Sequence, residues 1–132
     1  MSMNIQVKRV IEQDLDEIIG WFHSRNIEIT PEYLSPTGFI VPSIAAGFVY
    51  ATDSNFCVFE SFISNPNTTA DERKIALTAI VSAMIQEARE MGYADAYGFA
   101  TSSTMIQHGL EQGFKVVDTC TTIVRDLREE AG

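Results

Sequence analysis

Residues 56–100 constrain the fold more than any other part of the chain. They run from an apolar, β-rich stretch, "FCVFESFIS", through a polar loop, "NPNTTADERK", into a long helical pattern and out to "ADAYGFA", a second short β stretch. In the helical part Leu77, Ile80, Val81, Met84, Ala88 and Met91 fall on one continuous stripe, the spacing of a helix laid against a sheet. Asp71 and Glu72 favour its start, near Asp71, and Gly92 ends it as the C′ residue. Strand, helix and strand in that order form a right-handed crossover between parallel neighbours.

The flanking segments arrange themselves around this unit. "NIQVKRV" alternates and reads as a first strand, and "EQDLDEIIGWFHSRN" carries Leu15, Ile18, Ile19 and Phe22 at helical spacing. "ITPEYLSPTG", with two prolines and a glycine, is a loop with room for one helical turn. "GFIVPSIAAGFVYAT" reads as two strands split at Pro42 and Ser43, and Asp53-Ser54 with Asn55 make the hairpin turn into the next strand. After the crossover, "SSTMIQHGLEQG" is a short helix capped by Ser102 or Ser103 and stopped by Gly113. "FKVVDTCTTIVRDL" reads as one long bent strand or two final strands, and "REEAG" as a frayed tail. The expectation is one domain, 1–132, of α+β class. Its sheet is mixed and mostly antiparallel, with one parallel βαβ crossover and helices on both faces.

Composition excludes several function classes. A net charge of −9 over 132 residues argues against a nucleic-acid surface and suits a basic partner or a cationic substrate such as an amine. No apolar run approaches the roughly 20 residues of a membrane span, and the N-terminus has no apolar core behind its charges. The reading is therefore cytoplasmic. His23 and His108 are too few and too scattered for a metal site. Cys57 and Cys120 lie in β-like runs without C-x-x-C spacing and read as reduced, buried thiols.

Several positions could carry chemistry. Glu60 is a carboxylate in mid-strand, with Val58 and Phe62 expected on its face. That is the setting of a general base for an ammonium substrate, or of a glutamate paired with an arginine or placed at a strand splay. Arg73 and Lys74 stand at a helix start, where cations are either solvated or phosphate-binding. Ala96, Gly98 and Ala100 alternate on one strand face, so a helix or a cofactor arm packs closely there.

The element order and certain residues resemble the GNAT superfamily of N-acyltransferases, which use acetyl-CoA. The likeness runs from Phe56 onward: "SNP" leaving the fourth strand, a helix ending "EAREMGY" with Ala88 and Gly92, a strand, and a short helix closing on Gly113-Phe114. A fainter likeness is to short GNAT-like proteins of tailed phages. The resemblance implies that main-chain groups of Phe62, Ile63 and Ser64 hydrogen-bond the pantetheine arm, and that Ser102 contacts it. It implies that Arg73, Lys74 and Ala76 stand at the pyrophosphate loop, and that Trp21, Phe22 and His23 lie where the family often places acceptor-binding residues. Core packing of Phe22 and part of Trp21 is the plainer reading of that helix.

Two departures stand out. The family's [RQ]-x-x-G-x-[GA] loop falls on Glu72–Leu77, or one residue later, and both glycines are replaced in either register. The tyrosine that protonates the departing thiolate in many members is matched by Gly109. Two functions stay open. One is acetyl transfer from acetyl-CoA to a small-molecule or protein amine, with Glu60 or water as base. The other is a non-catalytic GNAT-fold binding or assembly protein with a protein partner, host-interacting or virion-associated if phage-encoded.

Overall fold

The computed structural model describes residues 5–128. Five strands lie side by side in chain order: β1 (Lys8–Arg9), β2 (Thr37–Val41), β3 (Ala45–Tyr50), β4 (Phe56–Ser64) and β5 (Asp95–Gly98). The first four pair antiparallel, and β4 pairs parallel with β5 through the long helix α2 (Ala70–Glu90). Helix α1 (Leu15–His23) follows a 3-10 turn at Glu12–Asp14, and α3 (Ser103–Glu111) follows β5. A second 3-10 turn at Pro31–Tyr33 fills the proline-containing loop.

Each sheet face has its own core, because alternate strand residues point to opposite sides. Phe39, Val41, Val49, Cys57 and Phe59 meet Ala76, Ile80, Met84 and Ala88 of α2. On the other face Ile40, Ala46, Phe48 and Ile63 meet Ile18, Trp21 and Phe22 of α1. Trp21 and Phe22 are therefore buried core residues, and His23 is exposed. Helix α3 is tied to the α2 side by a 2.8 Å hydrogen bond between His108 Nε2 and Thr78 Oγ1 and by the Lys74–Glu111 ion pair. Helices thus cover both faces of a mostly antiparallel sheet, as the sequence implies.

Two elements depart from expectation. The first strand shrinks to Lys8–Arg9, although Ile5 and Val7 still pack on the α2-side core. The final strand or strands expected over residues 114–127 do not form. Phe114 packs edge-on against Phe59, and the chain beyond it has no regular structure, with Ile123 89% and Val124 95% exposed. A β-branched run becomes a strand only when a neighbouring edge takes its backbone groups, and residues 115–127 do not run along the outer edge of β5, which stays unpaired among the described residues. Cys120 is consequently exposed, and only Cys57 is buried. The expected frayed tail falls on residues 129–132, outside those described, apart from Arg128, which bonds Asp126.

Candidate functional site

β4 and β5 pair over only four residues, from Phe56 opposite Asp95 to Phe59 opposite Gly98, and then part. Beyond that point the β5-facing edge of Glu60–Ser64 has no strand beside it. Under the gap, between β5, α2 and α3, lies a cleft of about 670 Å³. Phe59, Phe62, Leu77, Val81, Gly98 and Met105 line it, among others. Its size and its apolar lining are those of a small-molecule site.

A bulge shapes the lip of this gap. Ala46 stands opposite Ile63 and Phe48 opposite Glu60, so Gly47 faces two residues, Ser61 and Phe62. Ser61 takes a left-handed φ of 59°, unusual for a residue with a side chain. The extra residue turns Phe62 onto the α2 face and leaves Ile63 on the α1 face. This corrects the expected grouping: Val58 shares the face of Glu60, but Phe62 does not. Gly47 makes room for the turned Phe62, since a Cβ there would sit 2.7 Å from the Phe62 ring.

Glu60 is half-buried at the point of parting, and its Oε1 accepts the Ser61 N–H at 3.0 Å. That bond satisfies an amide the bulge takes out of the ladder. Around it stand groups that sequence reasoning missed. Tyr50 pairs with Val58, its hydroxyl lies 2.7 Å from Ser61 Oγ, and it donates to the Tyr33 carbonyl. Arg25, just past α1, donates from Nη2 to the Ser64 carbonyl at 3.1 Å and to Ser64 Oγ at 2.9 Å. The one sequence signal for the bulge was Gly47 inside a β run, a common mark of close backbone approach.

The other sequence-derived candidates are spread along the cleft. Phe62 lines it, Ile63 is buried away from it, and Ser64 is held by Arg25. Ser102 caps α3, its Oγ accepting the Met105 N–H at 3.2 Å. Ala96 and Gly98 line the cleft together with Ala100. Gly109 lines it too and brings no acidic group.

The start of α2 differs from the expected cradle. The helix begins at Ala70, so Arg73, Lys74 and Ala76 lie within it, and Ala76 is buried in the core. Thr69 is the N-cap of a full capping box: its Oγ1 accepts the Glu72 N–H at 3.1 Å, and Glu72 Oε1 accepts the Thr69 N–H at 2.9 Å. Those bonds hold the Glu72 carboxyl below the usual carboxylate range. The Arg73 guanidinium turns back to the Thr68 carbonyl, and Lys74 Nζ lies 3.6 Å from Glu111. For a donor of the acetyl-CoA type, the β4–β5 gap offers an apolar slot into which a thioester arm would fit. The expected pyrophosphate seat offers no match: it holds a carboxylate, and its cations are already engaged.

No family model and no curated relative matches the chain by sequence. Solved structures do match. A putative acetyltransferase from Agrobacterium tumefaciens superposes with TM-score 0.71 at 12% identity, over 92% of this chain and all of that one. Glucosamine-6-phosphate N-acetyltransferase from Arabidopsis thaliana gives 0.69 at 8% identity, over 94% of this chain and all of that one. A Mycobacterium tuberculosis protein in complex with CoA gives 0.62 at 13% identity, over 86% of this chain and 73% of that one. Sheet order, the single parallel pair, the crossover helix and these superpositions agree: the chain has the fold of the GNAT acetyltransferases.

Proposed function

We propose that this chain is an N-acyltransferase, taking an acetyl group from a thioester of the acetyl-CoA type to a primary amine on a small molecule or a protein. The observation that carries the reading is the parting of β4 and β5 at Phe59 and Gly98, directly over a cleft of about 670 Å³. An extended thioester arm laid in that gap would run along the edge of Phe62 and Ile63 as an added strand does, up to Ser64, whose carbonyl Arg25 holds, with Ser102 beside the α3 start. Solved relatives of this fold include a named N-acetyltransferase of an amino sugar and a protein holding CoA.

In this reading Glu60, half-buried beside the gap, serves as the base for the amine. One carboxylate oxygen bonds Ser61 N–H, and on the same reading the other takes the proton that the amine nitrogen loses as it bonds the acyl carbon. The thiolate that leaves needs no acid from the protein, since a thiol pKa near 8.5 makes it a fair leaving group and water can protonate it. The absence of a hydroxyl at Gly109 is therefore compatible with turnover. The acidic surface, with a net charge of −9, favours approach of a cationic amine.

Calorimetric titration of the full chain with acetyl-CoA, alongside a thermal-shift series, tests the reading. Saturable heat and a melting temperature that climbs with ligand are expected, followed by thiol release in an amine screen. No heat and no shift at millimolar ligand would sink it. The self-capped start of α2 supports a second reading, a GNAT-fold binding protein without catalysis, which that negative result would select.

A further inference from the structure

The α2 start and the β4–β5 gap make opposite demands on an acyl donor. At the helix N-terminus, where N–H groups and the helix dipole ordinarily attract phosphate, the chain supplies its own anion. Two of the four free N–H groups are taken within the capping box, those of Thr69 and Glu72, and the carboxylates of Asp71 and Glu72 lie on that first turn. Both cations of the next turn are directed elsewhere, Arg73 to the Thr68 carbonyl and Lys74 toward Glu111. Ile75, near where a glycine would let the backbone approach a phosphate, is 46% exposed and adds bulk. Arg89 and Lys115 line the cleft but lie outside the first two turns of α2. The gap, by contrast, is lined mainly by apolar side chains, and β5 leaves the main-chain edge of β4 beyond Phe59, short of the Ser64 carbonyl that Arg25 holds.

We infer that this site recognises its donor by the pantetheine thioester arm and gains little from the nucleotide diphosphate, so that acyl-pantetheine thioesters serve about as well as acyl-CoA. This rests on the acyltransferase reading and narrows it to a donor class. Asp71 and Glu72 are then specificity-determining residues that act by repulsion, which is how a site rejects one ligand without adding contacts to another.

The test compares three probes on the full chain by titration: CoA, pantetheine and 3′,5′-ADP. CoA and pantetheine are expected to dissociate within about tenfold of each other, a difference of about 1.4 kcal/mol or less. 3′,5′-ADP is expected not to saturate at millimolar concentration. In the D71N/E72Q variant, which keeps a side-chain amide able to close the capping box, CoA should bind several-fold tighter while pantetheine is unchanged. CoA binding a hundredfold tighter than pantetheine, with no response to D71N/E72Q, would overturn the inference and leave the acyltransferase reading standing. Saturation by neither CoA nor pantetheine would remove both.

Discussion

Glu60 clamps the bulge through its bond to the Ser61 N–H, and in the proposed reaction it is also the base; a single substitution separates the two. Glutamine keeps an oxygen to accept the Ser61 N–H but cannot take a proton. E60Q is therefore expected to melt within a degree or two of the parent while amine acylation falls by roughly a hundredfold or more, the usual contribution of a positioned base. Unchanged turnover in E60Q would reduce the residue to a bulge clamp. The two cysteines divide equally cleanly. Burial against α2 pushes the Cys57 thiol up and shields it, whereas Cys120 is exposed. A thiol-disulfide reagent should titrate one thiol rapidly in native protein and the second only in denaturant; two fast thiols would contradict the packing of Cys57 beneath α2.

At the scale of elements, the bulge in β4 and the start of α2 decide the shape of the site. Adding a methyl group at Gly47 drives it into the Phe62 ring, so G47A should cost about 1–3 kcal/mol in urea unfolding and move Phe62 within the cleft. The α2 cap has a pH signature. The folded-state pKa of Glu72 is lowered by its bonds to Thr69, so the folded chain binds fewer protons there than the unfolded one. The contribution of the cap is complete above the ordinary carboxylate range and is lost as pH falls through the lowered value. Thermal melts of parent and E72Q should therefore differ most near neutrality and converge as pH falls through the lowered carboxylate value, and a constant difference would remove the carboxylate from the cap. Helix α2, its C′ glycine at φ 89°, the β2–β3 break and the crossover were legible in sequence, because periodicity and turn chemistry are local. The bulge was not, since it depends on which residue faces Gly47 across the ladder. The helix start was legible to within one residue, near Asp71 against Ala70. The T-x-x-E box at Thr69, which closes the first turn on itself, was not, because the family-like loop pattern lies further along, at Glu72–Leu77.

At the scale of the whole molecule, the chain divides into a sheet with two cores and a C-terminal stretch outside them. Thr119, Thr121, Thr122, Ile123 and Val124 have strong strand propensity, which is why this stretch read as strand, but propensity is realised only in a ladder, and here the stretch does not run along the free outer edge of β5. Backbone that neither pairs nor packs is open to a protease, whereas cutting within α2 requires opening a helix whose inner face carries Ala76, Ile80, Met84 and Ala88. Trypsin has sites on both sides of this divide: Lys115 and Arg125 in the stretch, and Arg73, Lys74 and Arg89 in α2. Brief digestion of native protein should cleave at Lys115 and Arg125 well before any α2 site, leaving a body that ends near Phe114 and keeps the cleft walls from Phe59 to Gly109. Mass spectrometry of the early fragments reads the order directly. Cleavage at Lys115 no faster than at Arg89 would mean that residues 115–126 are covered in solution, with their β-branched side chains paired against the free edge of β5.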